Sequence, residues 1–253
     1  MEKVVLWVPT ATKRPESWLC VDTYLKMNVP DGYQMIWKRG LPGNIQIVWN
    51  QVVKDFLASD CTWLWSVHDD VVFSEDTLAR LLSWNKPLVS ALIFHRHSPQ
   101  LPHIWKKLDE GYAQMIMETR QWFLQRPNDI KFGPYIIDPR PDDALVESGF
   151  TSTSCTLMHR DVLEAMREET KETWFKLDYE YGGGEDRNFF EHARIAGYPN
   201  YVDRSCIAGH IMGDIPTSTA EFMMWTNGNK FTATGEEEYV KQQEKLKMEM
   251  PVK

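Results

Sequence analysis

The 253-residue chain is short of positive charge: 28 Lys and Arg stand against 36 Asp and Glu, a formal net charge of -8. Phosphate backbones demand clustered cations, so an extended nucleic-acid face is not expected, whereas a small phosphorylated ligand held through a divalent ion is compatible with this balance. Cysteine is scarce as well. Cys20, Cys61, Cys155 and Cys206 lie far apart and form no CxxC pair, which favours free buried thiols in a reducing cytoplasm over a disulfide framework or a zinc site. No apolar run reaches bilayer-spanning length, and MEKVVLWVPT lacks the basic start and long apolar stretch of a signal peptide. Internal repeats and low-complexity linkers are also missing. The segment Thr10 to Arg14, which follows the first apolar run, has no phosphate-cradling GxGxxG or Walker pattern.

What is present describes an ordinary globular α/β chain, long enough for a sizeable core. Its 11 Trp either fill that core or offer flat surfaces for sugar or base rings. Val4 to Val8, Tyr33 to Lys38, Thr62 to Val67 and Pro87 to Phe94 are short apolar runs that read as strands. Between them, Ile47, Val48, Val52, Phe56 and Leu57 recur at helical spacing, and Ser74 stands as an N-cap before Leu78, Leu81 and Leu82. Strands alternating with helices predict βαβ units and a mostly parallel central sheet with helices on both faces, whose ligands sit at the carboxyl ends of the strands. From His95 to Asp143 the pattern is irregular and reads as loops and short elements over the sheet. Ser154 to Arg160 predicts a strand, Asp161 to Glu169 a helix capped by Asp161, and Gly197 closes a further helix. Residues 1–235 read as one domain and 236–253 as a charged, helical tail.

Three constellations carry chemistry. In WLWSVHDDVVF, an apolar strand stops on His68, Asp69 and Asp70. Side-by-side carboxylates at such an edge cap the next helix or hold a divalent cation that also binds substrate phosphate. On extended backbone neighbouring side chains diverge, so one of the two is the ligand, taken as Asp70, while Asp69 supports it. In GGGEDRNFF, three glycines precede Glu185 and Asp186 at a helix start. This is a Gly-rich turn with acidic capping, or a rigid platform for a general base. In CIAGH, His210 is a structural histidine, or a ligand on a loop that folds over the site between Gly209 and Gly213. His95, Arg96, His97 and His103 form a basic cluster suited to phosphate or acceptor contact rather than to zinc.

Together these segments resemble the metal-dependent glycosyltransferases of the GT-A fold, in particular the family 2-like group. The first strand ending in Val8-Pro9-Thr10 is similar to that family's nucleotide-binding strand. The helix with Asn50 is similar to its Ala-Arg-Asn helix, with Val48 and Trp49 replacing Ala and Arg. WLWSVHDDVVFSEDTLARLL is similar to its D-x-D region, with His68 where the first Asp stands. Ser148 to Leu163 is similar to a segment lining the acceptor side, and GGGEDRNFFEHARIAGYPNYVD to its Gly-Glu-Asp helix. The resemblance implies transfer of a sugar from a nucleotide-diphosphate sugar to a carbohydrate, glycoconjugate or other hydroxyl acceptor. It implies Mn²⁺ or Mg²⁺ held by Asp70 and His210, and Asp186 as an inverting base assisted by Glu185. Pro9, Thr10, Asn50, His68 and Asp69 would contact the donor, and Gly183, Gly184 and His95 the acceptor. The alternatives are a non-catalytic nucleotide-sugar-binding protein of the same fold and a sugar nucleotidyltransferase.

Overall fold

The structure, a computed structural model, describes residues 1–8, 18–39, 43–95, 102–107, 131–132, 135–137, 144–177, 184–212 and 215–216. The tail 236–253 and most of the stretch 96–143 lie outside them. In chain order the elements are β1 (Glu2–Val8), α1 (Trp18–Lys26), β2 (Tyr33–Arg39), α2 (Ile45–Leu57), β3 (Trp63–Val67), β4 (Val71–Phe73), α3 (Thr77–Ser83) and β5 (Leu88–Ile93). Then come β6 (Trp105–Lys107), β7 (Lys131–Phe132), β8 (Tyr135–Ile137), β9 (Leu145–Ser148), β10 (Cys155–His159), α4 (Arg160–Thr170), α5 (Glu185–Ile195), β11 (Asn200–Met212) and β12 (Ile215–Pro216).

The class is mixed α/β. The central sheet runs β12-β11-β5-β10-β3-β1-β2, with β4 and β9 also pairing β11. Strands β1, β2 and β3 are mutually parallel, and β5 runs parallel to β11. Between β3 and β5 lies β10, antiparallel to both. That insertion brings the residues just before β10 to the end where β3 and β5 finish. A small antiparallel sheet, β6-β8-β7, stands beside it.

Alternation along β1 sends its side chains into two cores. Val5 and Trp7 join Val48, Trp49, Val52, Val53 and Phe56 of α2, with α4 and α5 on the same side. Val4 and Leu6 face Cys20 and Tyr24 of α1 and Leu78 and Leu81 of α3. Helices therefore cover both faces. The buried residues of α2 fall at 3.6-residue spacing, and each large apolar one contributes about 1.5–3 kcal/mol before ordering entropy is subtracted.

Three local expectations are corrected. The chain stays extended through Val71–Phe73 because β4 pairs β11. The next helix therefore begins at Thr77 after Asp76, and the Ser74 hydroxyl bonds Asp76 Oδ1 at 2.6 Å instead of capping. Helix α4 begins at Arg160, capped by the His159 ring, which accepts from the Asp161 backbone N–H, so Asp161 is its second residue. Cys206 to His210 form no loop: they belong to β11, and His210 stands opposite Val71.

Candidate metal centre and general base

The carboxyl end of β3 is a turn fastened on several sides. The His68 amide donates to the Ser154 carbonyl (3.0 Å), Val71 N–H donates to the His68 carbonyl (3.1 Å), and Ile211 N–H donates to the Asp70 carbonyl (2.8 Å). Tyr24 Oη also donates to the His68 carbonyl, at 3.2 Å. Because residues 68–70 turn rather than extend, His68 and Asp70 serve one side together. Their ligand atoms and that of His210 all lie within 4.8 Å of one another. Asp69 occupies the same turn, outside that group.

The two imidazoles share one hydroxyl. Ser154 Oγ lies 3.1 Å from His68 Nδ1 and 3.3 Å from His210 Nε2, and Ser152 Oγ lies 2.5 Å from Ser154 Oγ. On its other side, His210 Nδ1 is 3.1 Å from the Phe94 carbonyl. A carbonyl only accepts, so Nδ1 carries the proton and Nε2 keeps its lone pair. The His68 ring rests at 5.8 Å from Trp49, which in turn stacks on Phe175 at 5.1 Å. Trp49, the residue that replaces Arg in the resemblance, thus forms the wall behind His68.

One residue earlier, Thr153 Oγ1 donates to Asp186 Oδ1. Asp186 is the second residue of α5, which starts after Gly184 without a side-chain cap. Burial, then the neighbouring Glu185 charge, pushes the Asp186 carboxyl up to about 7, and its hydrogen bonds to Thr153 and Ser152 oppose that rise. A carboxyl poised there exchanges a proton at neutral pH. Residues 152–154 therefore touch both the histidines of the metal group and the candidate base.

His95 and His103 stand close by, with His95 Nδ1 and His103 Nε2 3.2 Å apart. Burial, followed by the electrostatic influence of the neighbouring His95 and His210 rings, holds His103 well below the usual imidazole range. The four thiols are free and buried. Burial pushes Cys155 far up and Cys206 up to about 11, so neither offers a thiolate at neutral pH.

Asn50, expected at the donor, bonds within the fold. Its amide donates to the Gln46 and Phe175 carbonyls at 2.9 and 2.7 Å, and its Oδ1 accepts from Phe175 N–H at 3.0 Å. It clips the segment after α4 onto α2. Of the stretch Ser148 to Leu163, expected on the acceptor side, Thr153 and Ser154 stand at this end of the sheet, while His159 lies at the opposite end, facing Trp63. Pro9, Thr10 and Gly183 lie outside the described residues. A Cβ at Gly184 would meet nothing within 4 Å. Ser152, Thr153 and Ser154 are not singled out by the sequence; besides their place in the Ser148 to Leu163 stretch, their signal is the hydroxyl run Thr151-Ser-Thr-Ser154 before an apolar strand.

No protein-family profile matches the chain, and no curated protein matches it. Among solved structures, the chain is similar to A197 from STIV, with 13% identity and a TM-score of 0.48 over 85% of this chain and 87% of that one.

Proposed function

We propose that the protein is a metal-dependent glycosyltransferase of the GT-A fold, moving a sugar from a nucleotide-diphosphate sugar to an acceptor hydroxyl with inversion. The observation that carries this reading is the meeting of Asp186 with His68, Asp70 and His210 through the single segment Ser152 to Ser154. An acid/base group and a cation-binding group at the carboxyl ends of the strands are what displacement of a nucleoside diphosphate by a hydroxyl requires.

In this reading Asp70 and His210 would hold the ion, Mn²⁺ or Mg²⁺, and the ion would supply positive charge against the departing diphosphate. Asp186 takes the proton of the acceptor hydroxyl as that oxygen attacks the anomeric carbon from the face opposite the diphosphate. Thr153 holds one oxygen of the Asp186 carboxyl, and burial, then the Glu185 charge, keeps its proton affinity high. A raised proton affinity favours the enzyme over a non-catalytic binder, which has no need of a base near neutrality. No helix among the described residues is long and apolar enough to cross a membrane. With four free, buried thiols, we place the activity in the cytoplasm.

The test is a panel of nucleotide-diphosphate sugars with Mn²⁺, read by thermal shift and by slow donor hydrolysis or transfer. At least one donor is expected to raise the melting temperature and be consumed. Neither stabilisation nor turnover across the panel would sink the proposal.

A further inference from the structure

We infer that His68 is a direct metal ligand, and that His68, Asp70 and His210 form a site for a first-row transition ion that discriminates against Mg²⁺ and Ca²⁺. This rests on the metal-dependent half of the reading above and adds the class of ion and the role of the residue standing in place of an acid.

The geometry comes first. Three ligand atoms within 4.8 Å of one another are close to the spacing of donors on a single ion, which stand on the order of 3–4 Å apart when each bond is about 2.0–2.2 Å. Side-chain adjustment of under about 1 Å closes the group on an ion of that size.

The second observation is that both rings are held. His210 lies on β11 with its Nδ1 proton committed to the Phe94 carbonyl, so the lone pair is on Nε2. That donation to a backbone carbonyl is the outer-shell contact that fixes the tautomer of a ligating histidine. His68 is fixed through its backbone amide and carbonyl and through the Trp49 wall. The Ser154 hydroxyl sits between the two rings.

The donor set then decides the ion. Mg²⁺ and Ca²⁺ are hard cations that take oxygen ligands, and Ca²⁺ wants six to eight of them. Here the chain supplies one carboxylate and two imidazoles. Neutral imidazole binds Mn²⁺, Fe²⁺, Co²⁺ and Zn²⁺ with rising strength in the usual divalent order and holds Mg²⁺ weakly. Three protein ligands also leave coordination positions for diphosphate oxygens. An acid at position 68 would give two carboxylates and a site tolerant of Mg²⁺; His68 removes that tolerance.

The experiment is calorimetric titration of the metal-free full chain with Mn²⁺, Co²⁺ and Mg²⁺, without nucleotide, together with the visible absorption of the Co²⁺ form. One equivalent of Mn²⁺ or Co²⁺ is expected to bind, with Mg²⁺ at least about 100-fold weaker. His68→Ala should weaken Co²⁺ by more than 10-fold and change its absorption. Ser154→Ala, which removes the hydroxyl at His68 Nδ1, should weaken it by about 10–100-fold, the usual cost of an outer-shell contact. His68→Asp should bring Mg²⁺ to within about 10-fold of Mn²⁺, a gain that misfolding cannot produce. Equal affinity of the wild type for Mg²⁺ and Mn²⁺, or unchanged Co²⁺ binding and absorption in His68→Ala, would overturn the inference. If the ions bind as stated while no nucleotide sugar is consumed, the transferase reading fails and this one stands. If transfer runs as well on Mg²⁺, the ion class is wrong and transfer stands.

Discussion

At the end of the sheet where β3 and β5 finish, His68, Asp70, His210 and Asp186 gather around the hydroxyls of residues 152–154. At the opposite end stand His159, Arg160, Lys3 and Asp60, much the same side-chain chemistry arranged to another purpose. Arg160 donates to the carbonyls of Phe56, Leu57, Ser59 and Cys61 at 2.7–3.1 Å, closing the carboxyl end of α2. His159 caps α4, and Lys3 pairs with Asp60. The carboxyls report the contrast. The hydrogen bond from Lys3 holds Asp60 below its ordinary range, while burial and a like charge push Asp186 up to about 7. At one end cations meet carbonyls and a carboxylate; at the other, carboxyls and imidazoles gather around shared hydroxyls.

The largest expected effect comes from breaking the reactive end. Asp186→Asn should lower kcat by about 10²–10⁴-fold, the usual contribution of a positioned base, while donor binding by calorimetry stays intact. In the wild type, kcat/KM should climb between about pH 6 and 8, because the proposed base acts only when ionised and burial pushes its carboxyl up to about 7. Stability moves the other way. A carboxyl raised above its unfolded value of 3.8 stabilises the fold fully below that pH, and the contribution is lost as pH rises through 7. Asp186→Asn should therefore melt at a higher temperature than wild type at pH 8 and close to it at pH 4. Equal melting differences at both pH values would contradict the raised carboxyl.

Breaking the opposite end should cost stability instead of rate. Arg160→Ala removes the guanidinium donors from four carbonyls at and just beyond the end of α2 and is expected to lose about 3 kcal/mol in denaturant unfolding, with kcat per folded molecule unchanged. A change in kcat with unaltered stability would erase the distinction between the two ends. The smallest effect belongs to Asp60→Ala. Its partner pair is exposed and screened, so its melting temperature should match wild type within error.

Much of the frame was legible along the chain. The apolar runs of β1, β3 and β5 and the 3.6-residue spacing of α2 are local signals, and local signals survive folding. The placing of Asp70 just after an apolar strand and of Asp186 at a helix start was also within reach, because a strand ending in acids and a Gly-rich helix entry are local signals. The hydroxyl run 151–154 was on view but carried no meaning by itself. Ser154 meets His68 and His210 from 86 and 56 residues away, and a hydrogen bond over that separation leaves no pattern in a single sequence. The Asn50 bond to Phe175 is hidden for the same reason: its partner lies 125 residues on.

By itself, then, the sequence determined the strand and helix segments, the acidic balance and the residue types available for chemistry, since these follow from side-chain hydropathy and charge. Only the tertiary structure decided which of them meet. Inserting β10 antiparallel between β3 and β5 carried Thr153 and Ser154 to the carboxyl ends of the strands, and pairing β4 with β11 brought His210 alongside Asp70. His68 changed most. In the sequence it is an oddity beside two acids, and in the fold it completes a group of three, because backbone hydrogen bonds between distant strands set the distances that coordination chemistry reads.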